Sequence, residues 1–428
     1  MRMADGPRTM KVCLVTAFPP SSERLNEYGF HLAKEIKKRN LVSLTILADQ
    51  MDTPATELPG FDVERCWKFN SIATPFALLR AARKHKPDVV WFNLVFSSFG
   101  DKPIPAFLGI CTALLLRLCG FYTHITLHHV IEFIDLSKGT KFPRLYKLFG
   151  AVATKLMLFS GSLTVLLPSY RKVLLESYGG EYVHLRKHGV FSAAPKFPDI
   201  NKRGNPEYRI LAFGKWGTYK RPEILIEAFA QIADKFPNAK LVIAGSNHPM
   251  CPGYVESLRE RWRNSRRIEF QGYVPEEEIG DLFSSATVLV LPYTSAGGPS
   301  GVAHQACEFA VPIIGSDIPD FRDMANTEEL AMLFYETGNP DSLAEVLTDL
   351  LENPTLQQEM AEQNFSVAVR TTMERVVGQY LHSFAKSLAL KRRNKSSRRL
   401  PVQRVDYWPM GLAQATEAIE EELLTGNP

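Results

Sequence analysis

YRILAFGKWGTYKRPEILIEAFAQIADKFPNAKLVIAG, residues 208–245, decides the fold. Its first seven residues, YRILAFG, form an apolar run of strand length that ends in a glycine. A basic loop follows, and Pro222 then opens a segment with apolar residues through Phe236. Proline is tolerated at that first turn because the N–H it lacks has no partner inside the helix. Residues 241–245 (LVIAG) make the next strand. Strand, loop, helix and strand in one stretch define a βαβ unit, whose crossover makes the two strands parallel neighbours.

The same alternation runs outward on both sides. Downstream, residues 268–272, 288–292, 312–316 and 332–335 read as strands, and residues 340–351, 355–369 and 373–390 as helices. Upstream, residues 11–18 (KVCLVTAF), 43–48, 88–95 (DVVWFNLV), 124–127 and 163–167 read as strands. Residues 26–38 carry Tyr28, Leu32, Ala33 and Ile36 at helical spacing. A polar, proline-rich stretch, APKFPDINKRGNPE at 194–207, separates the two series. The expected fold class is therefore α/β, with two Rossmann-like domains whose parallel sheets face each other across a cleft. The expected domains are residues 1–195 and 208–370, joined by a linker at 196–207. A helix at 371–390 is expected to cross back to the first domain, ahead of a basic linker and acidic tail at 391–428. A length of 428 residues suits two domains. Ligands of such sheets bind outside the carboxyl ends of the strands, so a cleft between two of them suits a two-substrate transfer.

Composition narrows the class. Hydrophobic residues make up 45% and charged residues 22%, ordinary for a soluble globular chain. The six cysteines are scattered and form no C-x-x-C pair, which argues against a zinc ribbon or a redox motif and favours a reducing compartment. The start, MRMADGPRTM, has no secretory character. The longest apolar stretch, 104–119, is broken by Arg117 and falls short of the ~20 residues of a spanning helix. It reads as a buried helix or as one lying on a membrane surface. The net charge of +4 is concentrated in KRRNKSSRR at 391–399, and the remaining chain is nearly neutral, which excludes a broad nucleic-acid face. That basic run reads as a solvated linker or as a segment attracted to anionic lipid. The expected location is cytoplasmic. Stretches 104–120 and 144–158, with Lys138, Lys141, Arg144 and Lys147 nearby, leave open peripheral contact with the inner membrane face.

Two loops carry the chemistry of the second domain. FGKWGTYKRPE places Gly214, Lys215, Gly217, Lys220 and Arg221 just before a helix N-terminus, where amides and dipole favour an anion. LPYTSAGGPSGVAHQACEFAVPIIGSD, residues 291–317, runs from a strand through a turn into a helix starting near Gly301. Small residues there let backbone amides approach a ligand, and Ser300 can cap the helix while bonding a phosphate oxygen. Two cradles on one sheet edge point to a diphosphate. In the first domain, Asn26 and Glu27 begin a helix after the first strand's loop; they can contact sugar hydroxyls or simply cap the helix. His128 and His129 follow a strand, with Glu132 placed to orient either ring, although a lone histidine is more often structural.

The succession FGKWGTYKRPEILIEAF, KLVIAG, RIEFQGYVPEEEIGDLFSSATVLVLPY and ACEFAVPIIGSDIPDF resembles the retaining glycosyltransferases of family GT4, which have the GT-B fold. The likeness covers roughly residues 208–326, and the first domain adds a weaker one through VTAFPPSSERLNEYGFHLAKEI and ITLHHVIEF. The resemblance implies that the second domain binds a nucleotide sugar. Lys215 stands where the family usually has arginine after glycine, and Lys220 stands at the family's lysine. The pair would hold the diphosphate and neutralise the leaving group without metal. Gly272, Tyr273 and Val274 stand where family backbone meets the base, and Ser300, Gly301 and Val302 supply amides near the phosphates. His128 stands at the family's histidine close to the transferred sugar, with His129 the nearby alternative.

One departure concerns two family glutamates around the last helix. Their positions fall on Gly297, beside Gly298, and on Gln305. Gln305 can still bond ribose hydroxyls, but Gly297 has no side chain to meet the sugar. Ser295 or backbone is a substitute, and Glu308 lies one helical turn on. The resemblance thus implies metal-independent, retaining transfer of a hexose-type sugar from a nucleotide-sugar donor to a glycan or lipid-linked glycan hydroxyl, without a further cofactor, as in polysaccharide biosynthesis. The missing carboxylates leave a catalytically weak nucleotide-sugar-binding or scaffold protein as the alternative, and a sugar-nucleotide epimerase of the same fold as a third.

Overall fold

In the computed structural model the described residues are 9–21, 23–52, 56–133, 143–192, 195–198, 208–248, 251–295 and 298–393. Gly297, Lys138, Lys141, residues 199–207 of the expected linker and the tail past 393 lie outside them. The chain divides into two compact units, one of residues 1–187 with 373–428 and one of residues 188–372. The first boundary thus falls before the proline-rich stretch, because Val190 already bridges to Thr372 within the second unit.

The first unit is built from β1 (Met10–Val15), α1 (Asn26–Lys37), β2 (Val42–Asp49), β3 (Val63–Trp67), α2 (Thr74–His85) and β4 (Val89–Leu94). It continues with α3 (Pro103–Leu118), β5 (Thr123–Leu127), α4 (Pro143–Leu158), β6 (Ser162–Val165), α5 (Pro168–Tyr178) and β7 (Val183–Leu185). All strands are parallel, in the order β3-β2-β1-β4-β5-β6-β7. β4 (VVWFNL) and β5 (THITL) are buried along their whole length, as expected of parallel strands covered on both faces.

Burial of the polar residues in β5 is compensated by hydrogen bonds. Trp91 Nε1 donates to Thr126 Oγ1 at 2.9 Å, and His124 Nδ1 lies 2.7 Å from Ser162 Oγ. Arg186 donates to Thr164 Oγ1 at 2.8 Å and to Ser383 Oγ at 2.6 Å, and its guanidinium stacks 4.4 Å over Tyr380. Ser383 and Tyr380 belong to the final helix (Met373–Arg393), so this network fastens that helix to the first unit.

The second unit contains β8 (Arg209–Trp216), α6 (Pro222–Ile232), β9 (Lys240–Asn247), α7 (Tyr254–Arg261), β10 (Ile268–Gln271), α8 (Glu276–Ser284) and β11 (Val288–Leu291). Then come α9 (Gly301–Glu308), β12 (Ile313–Ser316), α10 (Pro319–Glu328), β13 (Met332–Tyr335), α11 (Pro340–Leu351) and α12 (Pro354–Arg370); the final helix is α13. The six parallel strands run β10-β9-β8-β11-β12-β13. The core is set by α6, whose Leu225, Ile226, Ala228 and Phe229 are buried in one cluster with Trp216 of β8 and Leu343, Leu347 and Leu350 of α11. At roughly 25 cal/mol per Å² of apolar surface removed from water, each such aliphatic side chain contributes about 1.5–3 kcal/mol.

Strand order reverses direction between β1 and β4 in the first sheet and between β8 and β11 in the second. Loops leaving the carboxyl ends at such a point splay apart and leave room for a ligand.

Candidate functional site

In the second unit the switch point is lined by the two expected cradles. The loop after β8 folds back so that Lys220 forms an antiparallel bridge with Tyr293, the Arg221 amide donates to Pro292 O at 2.9 Å, and the Thr294 amide donates to Tyr219 O at 2.8 Å. These bonds stitch the loop after β8 to the segment after β11. Lys220 Nζ lies 4.7 Å from the centroid of the Tyr293 ring. A Cβ built on Gly214 would come within 3.1 Å of that same nitrogen, and Gly214 has φ +151°, a conformation glycine adopts at little cost.

Among the described residues no carboxylate pairs with Lys220. Burial pushes its pKa below the ordinary lysine value. The ammonium is therefore held by a ring face and left with positive charge to share. Lys215, the next residue after Gly214, is exposed on β8 in register with Ser246.

The Tyr293 ring is buried, packed at 5.7 Å from Tyr219 and 5.3 Å from Phe321, and its buried hydroxyl lies near Ser300 but makes no hydrogen bond among the described residues. Ser300 is the N-cap of α9, its Oγ accepting from the Ala303 amide at 3.3 Å. One tyrosine thus lies beside both the lysine loop and the start of α9. The first amides of a helix have no partner inside it, and those of Gly301 and Val302 donate to no acceptor among the described residues. The Gly298 amide is different: it donates to Asp320 Oδ2 at 2.9 Å, so a buried carboxylate already occupies one donor expected to face a phosphate.

Gln305 is half-buried on α9. Glu308 does not face solvent. It accepts from the Ser192 amide at 2.7 Å, and burial pushes its carboxyl up to about 7. Gly272 lies just past β10 and accepts from the Gly245 amide at 2.8 Å; Tyr273 beside it is 78% exposed, whereas Val274 is buried. The expected contact of this segment with a base is through its backbone, and the exposed Tyr273 ring lies beside that backbone just past the edge strand.

In the first unit the rim at the β1/β4 switch holds His128. Its Nε2 lies 2.7 Å from Asn93 Oδ1, and Asn93 Nδ2 donates to Thr16 Oγ1 at 3.1 Å. An amide oxygen only accepts, so Nε2 of His128 carries the proton. Tyr28 of α1 meets the His128 ring edge-on at 4.6 Å. His129 is held neutral to about 4 by burial and then by the charge of Arg24. Asn26 spends its amide on Ser21 O at 2.8 Å, a loop-closing role, while Glu27 is exposed at the start of α1. Sequence reasoning missed Tyr293, Asp320, Asn93 and Tyr28. Each acts through a partner that is distant in sequence, and only the strand ends on which Asn93 and Tyr293 sit offered a signal.

Two parallel-sheet α/β units define the GT-B class of glycosyltransferase fold. Solved structures agree. Sucrose-phosphate synthase from Thermosynechococcus elongatus superposes with a TM-score of 0.70 over 87% of this chain and 97% of its own, at 16% identity. HepE of Anabaena, solved with UDP-glucose, gives 0.65 over 89% and 99%, at 14% identity. Residues 194–367, which lie almost wholly within the second unit, match the family described as glycosyl transferases group 1, so that unit carries a domain of this family. A glycosyltransferase of Methanocaldococcus jannaschii is 33% identical over 139 residues, 32% of this chain. That stretch is 34% of the relative's length, so the chain spans about a third of this curated relative. No described helix is long and apolar enough to cross a membrane.

Proposed function

We propose that the protein is a GT4-type retaining glycosyltransferase that moves a hexose-type sugar from a nucleotide-sugar donor to a hydroxyl of a glycan or lipid-linked glycan, without metal. One observation carries this reading: the Lys220 ammonium, with no carboxylate partner among the described residues, is seated on Tyr293 against Gly214, and Tyr293 begins the segment that leads into the open amides at the α9 N-terminus. A lysine charge and helix amides on one rim complement a diphosphate, and they stabilise negative charge most as it develops on the leaving group. No third side chain is required as a nucleophile. The leaving phosphate itself offsets the charge at the sugar carbon and accepts the acceptor's proton. His128, which stands at the family's histidine, is fixed through Asn93 at the rim of the first unit's own sheet.

Purified protein given a panel of nucleotide sugars and acceptors should release nucleoside diphosphate only with a matched pair, and the product should keep the donor's anomeric configuration by NMR. Lys220→Ala with full turnover would refute the assignment. Acceptor-independent conversion of the nucleotide sugar into its epimer, with no nucleoside diphosphate released, would favour the epimerase reading. The engagement of Gly298 by Asp320, together with Gln305 in place of a carboxylate, favours the second reading, a donor-binding protein with weak turnover. Donor binding with no product across a broad acceptor pool would select it.

The acceptor side of the proposal rests on the outer face of α3 and α4. Ile104, Leu148 and Phe149 are 66%, 61% and 45% exposed, with Arg144 and Lys147 alongside. Apolar side chains flanked by cations suit an anionic lipid surface. Vesicles containing anionic lipid should co-sediment with the protein at low salt, and loss of that binding is expected for Leu148→Glu.

A further inference from the structure

His304 is buried on the first turn of α9 and is bonded at both ring nitrogens. Nδ1 lies 2.8 Å from Ser300 O, and Nε2 lies 3.2 and 3.3 Å from the two oxygens of Glu328. A carbonyl oxygen and an ionised carboxylate are both acceptors, so with Glu328 ionised both nitrogens carry protons, and a neutral imidazole has only one to give. Glu328 reaches this point from the end of α10. His188 stacks on the ring at 4.9 Å and 29°, and its own Nδ1 donates to Gly189 O at 2.9 Å. The Cε1 of His188 also sits 3.7 Å from where a Cβ on Gly301 would be.

We propose that His304 is the positioning residue of the phosphate-binding turn, an imidazolium clamped between Ser300 and Glu328 that holds the start of α9 so that its amides can meet a diphosphate. The inference rests on the reading of that turn as the donor-phosphate site. Its logic is mechanical. Ser300 is the N-cap and lies near Tyr293, so a proton lost from His304 removes the side-chain bond to the Ser300 carbonyl and leaves it only the helical bond from the His304 amide, loosening the turn that sets Gly301 and Val302. The titratable groups facing His304 are Glu328 from α10, His188 from the segment after β7, and Cys307 and Glu308 from α9 itself. Burial alone would lower the pKa of His304, but the Glu328 carboxylate outweighs it and the value is raised above that of an ordinary histidine. His188 is pushed down to about 3, chiefly by burial and then by the charge on His304, so the stacked neighbour is neutral and does not compete for the carboxylate.

Calorimetric titration tests the proposal on the full chain across pH 6–9, using uridine, guanosine and adenosine diphosphates with inorganic pyrophosphate as a base-free probe. A glutamine side chain is uncharged and carries its two donor hydrogens on one nitrogen, not on two separated ones facing Ser300 and Glu328, so His304→Gln should bind at least tenfold more weakly at the acid end. The ratio of wild-type to His304→Gln affinity should then fall toward one as pH rises and His304 deprotonates. Comparing the two proteins cancels the titration of the ligand's own phosphate. Glu328→Gln should move the fall of wild-type affinity to lower pH; if His304→Gln does not fold, this variant carries the test alone. A ratio that is constant with pH, or His304→Gln binding within threefold of wild type, would overturn the proposal while Lys220→Ala still lost binding. If the wild type binds none of the probes, or Lys220→Ala binds as well as wild type, the phosphate-site reading itself has failed.

Discussion

Replacing Lys220 with methionine separates binding from stability. The lysine stem and a methionine side chain have similar length, so the aromatic packing on Tyr293 is retained while the charge is removed. A unit charge about 4 Å from a phosphate oxygen contributes about 4 kcal/mol at an effective dielectric constant near 20. Desolvation of both groups opposes this, and hydrogen bonds to charged partners contribute about 1.5–3 kcal/mol net. At about 1.4 kcal/mol per decade, Lys220→Met should weaken nucleoside-diphosphate binding about 10- to 150-fold. Stability should move the other way. A half-buried ammonium with its pKa lowered by desolvation and no carboxylate partner among the described residues costs the folded state, so the melting temperature should be unchanged or higher. Calorimetry with the bound nucleotide and a thermal melt without it read the two effects on one preparation. Binding within threefold of wild type, or a melting temperature several degrees lower, would refute the account of Lys220 as a charge kept in place for an anion.

Other substitutions probe the surroundings of the site. Ala310 follows α9 with φ +52°, in the left-handed region that costs a non-glycine residue roughly 1–2 kcal/mol, so Ala310→Gly should raise stability by up to about 1 kcal/mol once the looser unfolded chain is allowed for; urea denaturation will show it. Gly245 has φ +109°, and a Cβ there would sit 1.9 Å from Gly214 O, so Gly245→Ala should cost about 3 kcal/mol or more and abolish nucleotide binding, measured by denaturation and calorimetry. Glu308, raised to about 7 by burial, is protonated in the folded state before the unfolded one, and stability therefore falls as pH rises from about 4.5 through 7. Glu308→Gln should gain about 2 kcal/mol over wild type at pH 8 and nothing at pH 4, read as a difference in melting temperature that appears only on the alkaline side.

The second sheet was legible because its strands are short apolar runs, most of them closed by glycine, proline or serine, and β8 to β13 all fall where those runs lie. Two strands of the first sheet were not read. β3 (VERCW) is half-buried at the sheet edge and keeps charged residues, and β7 (VHL) is three residues long, so neither shows the unbroken apolar pattern of the central strands. The glycines, lysines and serine of the anion loops were visible as residue types at strand ends. What they touch was not. Whether the Gly298 amide stays open depends on Asp320, and the state of His304 depends on Glu328 and His188, partners 24 and 116 residues away in the chain; only tertiary packing brings them together.

The chain enters the second unit and leaves it at adjoining points: Val190 and Thr372 form a parallel bridge, and the Val190 amide donates to Thr371 O at 2.8 Å. A module whose two ends are clasped side by side can be excised or exchanged with little strain on its host. Residues 188–372 therefore form a natural cassette: under the proposed assignment of the donor to this unit, grafting the segment from a homologue of different donor preference, cut at the clasp, should carry that preference with it.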